Sequence, residues 1–253
     1  MTEWWRELPR TSASFPHLEI LDSATSTNQL VKERDASAPD YCALATAQQT
    51  QGRGRLGREW VSRVRESLAF SVLLPKVSSR HQPWVSLVTG AALVRSLRVH
   101  GLAGVEMKWP NDVLVDDGKL AGVLCEILPS GRVVAGVGLN IDFGDSLRPA
   151  ERAIALSDFL DVSQGLVDDV VELALSQIRH WCEEEQTQAE DAARLLVEPL
   201  LGTLGRSVAI HEVSGESWVG VARELSPKGH LIVQVPKGSA RTVIASDIEH
   251  LRQ

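Results

Sequence analysis

Residues 51–65, "QGRGRLGREWVSRVR", interrupt what would otherwise be a buried apolar stretch. On one side stands "YCALATAQ" (41–48) and on the other "SLAFSVLLP" (67–75), each with the composition of a buried strand. Between them lie Gly52, Gly54 and Gly57, and five arginines against one acid, Glu59, a local charge of +4. Such a segment cannot enter a core, because burying unpaired charge costs far more than its few apolar groups return. It must leave a sheet as a surface loop and come back into the next internal strand. Nothing in its side chains fixes its shape, so glycine freedom and like charges predict a mobile segment over 50–60 until an anion binds.

The rest of the chain narrows what that anion is. Over 253 residues the net charge is -7, which argues against a general nucleic-acid binder. A cation patch on an acidic protein fits a small anion, such as a nucleotide phosphate or a carboxylate. No apolar run reaches the ~20 residues that span a bilayer, and "MTEWWRELPR" lacks the apolar core of a secretory signal. Cys42, Cys125 and Cys182 are odd in number and far apart, which fits a reduced cytoplasm better than a disulfide framework. The histidines are scattered without metal-ligand spacing. "GRGRLG" (52–57) satisfies G-x-G-x-x-G, but a strand rather than an apolar helix follows, so a dinucleotide loop is excluded. "VEMK" and "DFG" mimic fragments of a kinase without the H-R-D loop between them.

Periodicity supplies the elements. "HLEILD" (17–22) predicts a strand and "STNQLVKERDA" a helix capped by Ser26 or Thr27. Residues 83–100 predict a helix, apolar at Val85, Val88, Ala92, Leu93 and Leu97 and ending at Gly101. Four strand-like runs follow, "VEMKW", "DVLVDD", "KLAGVLCEIL" and "VVAGVGLNID", with "DDGK" and "PSG" as turns. Residues 165–200 predict one or two helices. Beyond a boundary near 202, short strands from "SVAIHEV" to "RTVIASD" predict a small barrel. Within "KWPND" (108–112), Lys108 closes a strand, Pro110 forces a turn after Trp109, and Asn111 and Asp112 project from that turn.

"STN" (26–28), "QTQGRGRLGREW" (49–60), "KWPND" (108–112), "KLAGVLCE" (119–126) and "GVGLN" (136–140) together resemble the biotin protein ligase family in residues, order and spacing. The resemblance implies an α+β fold: a mixed β-sheet flanked by helices, class II aminoacyl-tRNA synthetase-like or biotin–lipoate ligase-like, with a small C-terminal SH3-like β-barrel. It divides the chain into a catalytic domain, 1–202, and a C-terminal domain, 203–253. It implies a ligase that activates biotin with ATP and Mg²⁺ to biotinoyl-5′-AMP and passes biotin to a lysine of a biotin carboxyl carrier domain of acetyl-CoA carboxylase or a related enzyme. A lipoate or octanoate ligase or transferase of the same fold is the alternative, disfavoured by the arginine–glycine loop.

By the same resemblance Lys108 and Arg53 are the catalytic residues, near the carboxylate and α-phosphate. Ser26, Thr27, Asn28, Gln49, Gly52, Arg53, Gly54, Arg55, Lys108, Gly122 and Gly138 are expected to bind biotin. Arg53, Arg55, Arg58, Trp60, Lys108, Trp109, Asn111, Lys119, Leu139 and Asn140 are expected at the ATP or adenylate, with Asp112 as a metal ligand. Gln49 is chosen over Gln48 and Gln51 by its spacing of three before Gly52. Leu56 departs from the family, which often has another arginine there. Regulatory members carry a helix-turn-helix before the catalytic core, and the residues before 21 are too few to build one, so no DNA partner is expected. Neither is a membrane partner; the expected state is a cytoplasmic monomer or weak dimer.

Overall fold

A computed structural model describes residues 7–251 except 61, 213–214, 237 and 245, and except the side chains of 185–191. Seven strands make the main sheet: β1 (Leu18–Leu21), β2 (Ala43–Thr46), β3 (Ser67–Lys76), β4 (Glu106–Lys108), β5 (Asp112–Val115), β6 (Gly118–Ile127) and β7 (Arg132–Asn140). Their order is β1-β2-β3-β7-β6-β5-β4. Among these strand pairs β1–β2 alone is parallel; α1 (Pro9–Ser14) precedes β1, and α2 (Thr27–Glu33) carries the chain from β1 to β2. The remaining pairs are antiparallel hairpins or returns, so the sheet is mixed. Asp116 and Asp117, with φ of 49° and 64°, form the two-residue turn between β5 and β6 that "DDGK" predicts.

Alternation along the strands sorts the two faces. Leu68, Phe70, Val72 and Leu74 of β3, Ala121 and Val123 of β6, and Val133, Ala135, Val137 and Leu139 of β7 enter one core. Helices α3 (Val85–Val99) and α4 (Gln164–Val197) cover that face. The region 165–200 is a single helix of 34 residues, its start fixed by Ser163 Oγ, which accepts from Leu166 N. On the opposite face, α2 seals one end through Val31, Leu44, Leu73, Leu128 and Val134. The other end of that face is left for the site.

The strands beyond Gly205 form a five-stranded antiparallel sheet: β8 (Ser207–His211), β9 (Ser217–Leu225), β10 (Leu231–Gln234), β11 (Ala240–Val243) and β12 (Asp247–His250), in the order β11-β10-β9-β8-β12. The fold is thus α+β, with the expected smaller β unit at the C-terminal end. Two tryptophans lock the sheets together. Trp84 Nε1 donates to Pro227 O at 3.0 Å, and Trp109 Nε1 donates to Gly229 O at 3.1 Å. Trp109 N also donates to Thr203 Oγ1 at 2.9 Å. Arg206 pairs with Glu106 at 2.6 Å beside them.

His250 sits in this junction, 3.0 Å from Thr203 Oγ1 and 3.4 Å from Arg206. Burial, then the charges of Arg206 and Lys108, push its pKa down to about 4, against a weaker pull from Asp117. An ordinary histidine titrates near 6.5. As pH falls from 6.5 towards 4, the unfolded chain therefore takes up a proton that the folded chain refuses, and stability is lost over that window. Melting temperatures from pH 7 to pH 4 should fall less steeply in His250→Gln than in the wild type. Parallel curves would remove His250 from the account.

Candidate active site

Register builds the floor of the site. Ala69, Gly138, Gly122, Asp112 and Lys108 face one another in a single row across β3, β7, β6, β5 and β4. Residues opposite one another in a ladder point to the same side, so the row runs from small residues to a charged pair. One step along, Ser71, Gly136 and Leu124 form the next row. The glycines are there because there is no room for anything else. A β-carbon at Gly138 would stand 2.3 Å from the Trp60 ring, and one at Gly136 would stand 1.9 Å from Asn28 Oδ1. A bulge in β6, where the register shifts between Ala121 and Lys119, brings Lys119 onto the same side as Gly122.

The arginine–glycine segment closes over this floor as a hairpin. Gln49 bridges Ser62 and Arg53 bridges Glu59. Gly54 N donates to Arg58 O at 2.7 Å, and Trp60 N to Gly52 O at 2.9 Å. Its tip is a short turn, Arg55–Gly57, with Leu56 at φ 55° and 58% exposed. The segment for which mobility is expected without an anion has the geometry of a paired hairpin in this structure. Backbone pairing and the seat of Trp60 on the glycine floor supply the contacts that arginines alone lack. Among the described residues, the buried Trp60 Nε1 has no hydrogen-bond partner.

The cleft between floor and hairpin has a volume of about 230 Å³. One end is neutral and polar: Thr27 N donates to Gln49 Oε1 at 2.8 Å, and Ser26, Thr27, Asn28 and Gln49 line the wall. The other end is cationic. Arg53, Arg55, Arg58, Lys108 and Lys119 all line it. Lys119 pairs with Asp112 at 2.7 Å, and Arg58 with Asp247 of β12. Burial holds the Lys108 ammonium below the ordinary lysine range, Asp112 and Glu249 opposing the shift and Lys119 and Arg152 adding to it. Burial likewise lowers Arg55, which reaches Asn111 Oδ1 at 3.3 Å. Five cations against Glu59, Asp112 and Asp247 leave this end of the cleft positive, which suits an anion.

Residues 20–142 match the model of the Biotin/lipoate A/B protein ligase family. The biotin–[acetyl-CoA-carboxylase] ligase of Mycobacterium tuberculosis is 32% identical, over 97% of this chain and 93% of that protein. The chain belongs to the biotin protein ligase family. The bifunctional ligase/repressor BirA of Escherichia coli is 28% identical over 85% of this chain and 68% of its own length. Among solved structures, the biotin protein ligase of Aquifex aeolicus in complex with biotin and ATP superposes with a TM-score of 0.75 at 25% identity, covering 92% of this chain and 99% of that one.

Most residues that the family resemblance singled out converge on the cleft. Ser26, Thr27, Asn28, Gln49, Arg53, Gly54, Arg55, Arg58, Trp60, Lys108, Trp109, Asn111, Asp112, Lys119, Gly122 and Gly138 all line it. Three stand off it. Gly52 lies in the hairpin, where a β-carbon would meet Trp60 O at 2.4 Å. Leu139 is wholly buried on the helical face, because its neighbour Gly138 takes the site face. Asn140 spends its amide on Lys119 O at 3.2 Å and Ile154 O at 2.9 Å. Asn111 projects less than expected: its Nδ2 donates to Val123 O at 2.8 Å. Trp109 touches the cleft but is 2% exposed and belongs mainly to the junction. Gly136, Leu124, Glu59, Asp247 and Ile248 also line the cleft and were not foreseen. Alternation through "GVGLN" marks Gly136, whereas no local signal marks Asp247 or Ile248.

Proposed function

We propose that this family member joins biotin to a protein lysine in two steps, at the cleft just described. The observation that carries the reading is the division of one cleft into a neutral hydrogen-bonding end and a cationic end over a floor of glycines. Biotin has that division: a neutral ureido ring and a carboxylate tail. In the first step a carboxylate oxygen attacks the α-phosphorus of ATP, the bond to the pyrophosphate oxygen breaks, and biotinoyl-5′-AMP forms. In the second, the neutral amine of a carrier lysine attacks the acyl carbon. An amide forms, the amine loses its proton and AMP leaves.

The cations answer the main physical obstacle. Two like charges at 4 Å repel by about 4 kcal/mol at an effective dielectric near 20. Arg53 and Lys108 would hold the carboxylate and α-phosphate together against that repulsion, and Arg55, Arg58 and Lys119 would take the remaining phosphate charge. Ser26, Thr27, Asn28 and Gln49 would read the ureido ring, with the backbone at Gly122 and Gly138. Trp60 would cover the adenylate and keep water from the anhydride. The donor set suits Mg²⁺ that takes most of its ligands from phosphate and water, with Asp112 as the carboxylate beside it. Bound there, the ion would offset polyphosphate charge.

The partner would be a biotin carboxyl carrier domain of acetyl-CoA carboxylase or a related enzyme. We assign catalysis to 1–202 and a supporting role to 203–253. A net charge of -7 and three free cysteines favour a cytoplasmic protein that works without DNA, as a monomer or weak dimer. No helix of the described residues is long and apolar enough to cross a membrane. Purified protein with Mg²⁺ should exchange labelled pyrophosphate into ATP only when biotin is added, and then label a carrier domain. Lipoate should support neither step. Exchange driven by lipoate and not by biotin would overturn the reading.

A further inference from the structure

Behind the neutral end of the cleft, a chain of polar contacts runs from Glu126 to Thr27. Asn28 Nδ2 lies 3.0 Å from Leu124 O and 3.0 Å from Glu126 Oε2. A carbonyl and a carboxylate only accept, so the amide can face one way, and its Oδ1 is left as an acceptor on the other side. Ser71 Oγ stands 2.7 Å from that Oδ1 and 2.7 Å from Thr27 Oγ1. One hydroxyl carries one proton, and the amide oxygen has none to give, so Ser71 donates to Asn28. Thr27 must then donate to Ser71. Its other acceptor, Gln49 Oε1, is farther, at 3.2 Å, and already receives the Thr27 backbone N–H. Thr27 Oγ1 thus reaches the cleft wall with lone pairs to offer and its proton spent.

The carboxylate at the head of this chain is well held. Lys32 Nζ grips the second oxygen of Glu126 at 2.8 Å. Burial would raise the Glu126 pKa, but hydrogen bonds from Lys32 and Asn28, with the charges of Lys32 and Arg53, outweigh it and hold the carboxyl below its usual range. Hydrogen bonds in such a series polarise one another in one direction.

We propose that Glu126 is a positioning residue which, acting through Asn28 and Ser71, makes the Thr27 hydroxyl an obligate acceptor for a ureido N–H of the bound substrate. The inference rests on the proposed biotin site. It also gives that site a basis for selectivity: a dithiolane ring has no N–H to offer, and a buried acceptor left without its donor penalises the wrong ring.

Glu126→Gln tests it at constant shape. If the new side chain turns its oxygen to Asn28, its NH₂ faces Lys32, donor against donor. If it turns the other way, it faces Asn28 Nδ2, again donor against donor. In the first case a neutral amide oxygen replaces the carboxylate facing Asn28, and in the second the bond to Asn28 is lost, so either way the charge-assisted hydrogen bond at the head of the relay is gone. In biotin-dependent pyrophosphate exchange the KM for biotin should rise tenfold or more, while kcat and the KM for ATP stay within about twofold. Ser71→Ala, which cuts the relay at a different link, should give the same split. Lys32→Gln leaves the Glu126–Asn28 bond in place and should change the biotin KM less than threefold.

Biotin analogues with either ureido N–H replaced by oxygen supply the second arm. For one of the two, wild type and Glu126→Gln should have equal KM, because the group that the relay serves is gone. An unchanged biotin KM in Glu126→Gln, or a fall in kcat with the ATP KM rising in step, would overturn the relay. So would a Glu126→Gln penalty that persists in full with both analogues. A wild-type protein that shows no biotin-dependent exchange would instead refute the function on which the relay depends.

Discussion

Lys108→Ala should lower biotin-dependent pyrophosphate exchange by about two to three orders of magnitude, the usual loss when one preorganised electrostatic donor is removed from a dry site. The size follows from where the residue stands. Lys108 ends the cross-strand row that begins at Ala69 and passes through the glycine floor, and it faces Asp112 in register. Its ammonium is already partly desolvated, as its lowered pKa records. A cation in that condition has its interaction with a phosphate less screened than one in water. Folding should be nearly untouched, since removing a half-buried charge relieves a desolvation cost as well as deleting a contact. The decisive pair of measurements is exchange rate and melting temperature on one sample. Wild-type exchange in a normally melting variant would take Lys108 out of the chemistry.

Trp109→Ala, one residue further on, should do the reverse and strike stability first. Its ring is buried at the junction of the two sheets, and its indole N–H is the partner of Gly229 O. Truncating a buried tryptophan costs about 3–5 kcal/mol, and in a chain of this size that is about 6–20 °C in melting temperature. The loss should reach the site indirectly. The second sheet carries Asp247 and Ile248 into the cleft, and Asp247 holds Arg58 of the hairpin. A variant that melts within about 2 °C of wild type would show that the junction does not depend on this side chain.

Neighbouring residues of one motif thus serve different ends, and this is where the sequence is least transparent. The family resemblance points to Lys108, Asp112, Gly122 and Gly138, and strand register explains why they meet. Spacing does not say which way a side chain points. Leu139 and Asn140 follow Gly138 in the motif, yet one enters the core and the other pins Lys119 and Ile154. The strand expected over 41–48 is shorter, Ala43–Thr46, because Tyr41 takes a left-handed φ of 63° that a strand cannot continue. The hairpin shape is hidden for a related reason: it comes from bridges such as Gln49–Ser62 and from Trp60 lying on distant glycines, contacts that composition does not encode. Asp247 was invisible because its role exists only after the second sheet has docked.

A floor of glycines has a consequence for how this chain can change. Glycine inside a strand costs roughly 0.5–1 kcal/mol relative to alanine, and Gly122, Gly136 and Gly138 all lie within β6 or β7. Valine or isoleucine would suit an isolated strand better, but a β-carbon at Gly138 or Gly136 would collide with Trp60 or Asn28 and push the hairpin or the polar wall off the sheet. Local strand propensity and the packing that shapes the site therefore oppose each other at these backbone positions. Attempts to harden this protein should leave that row alone and seek their gains on the helical face.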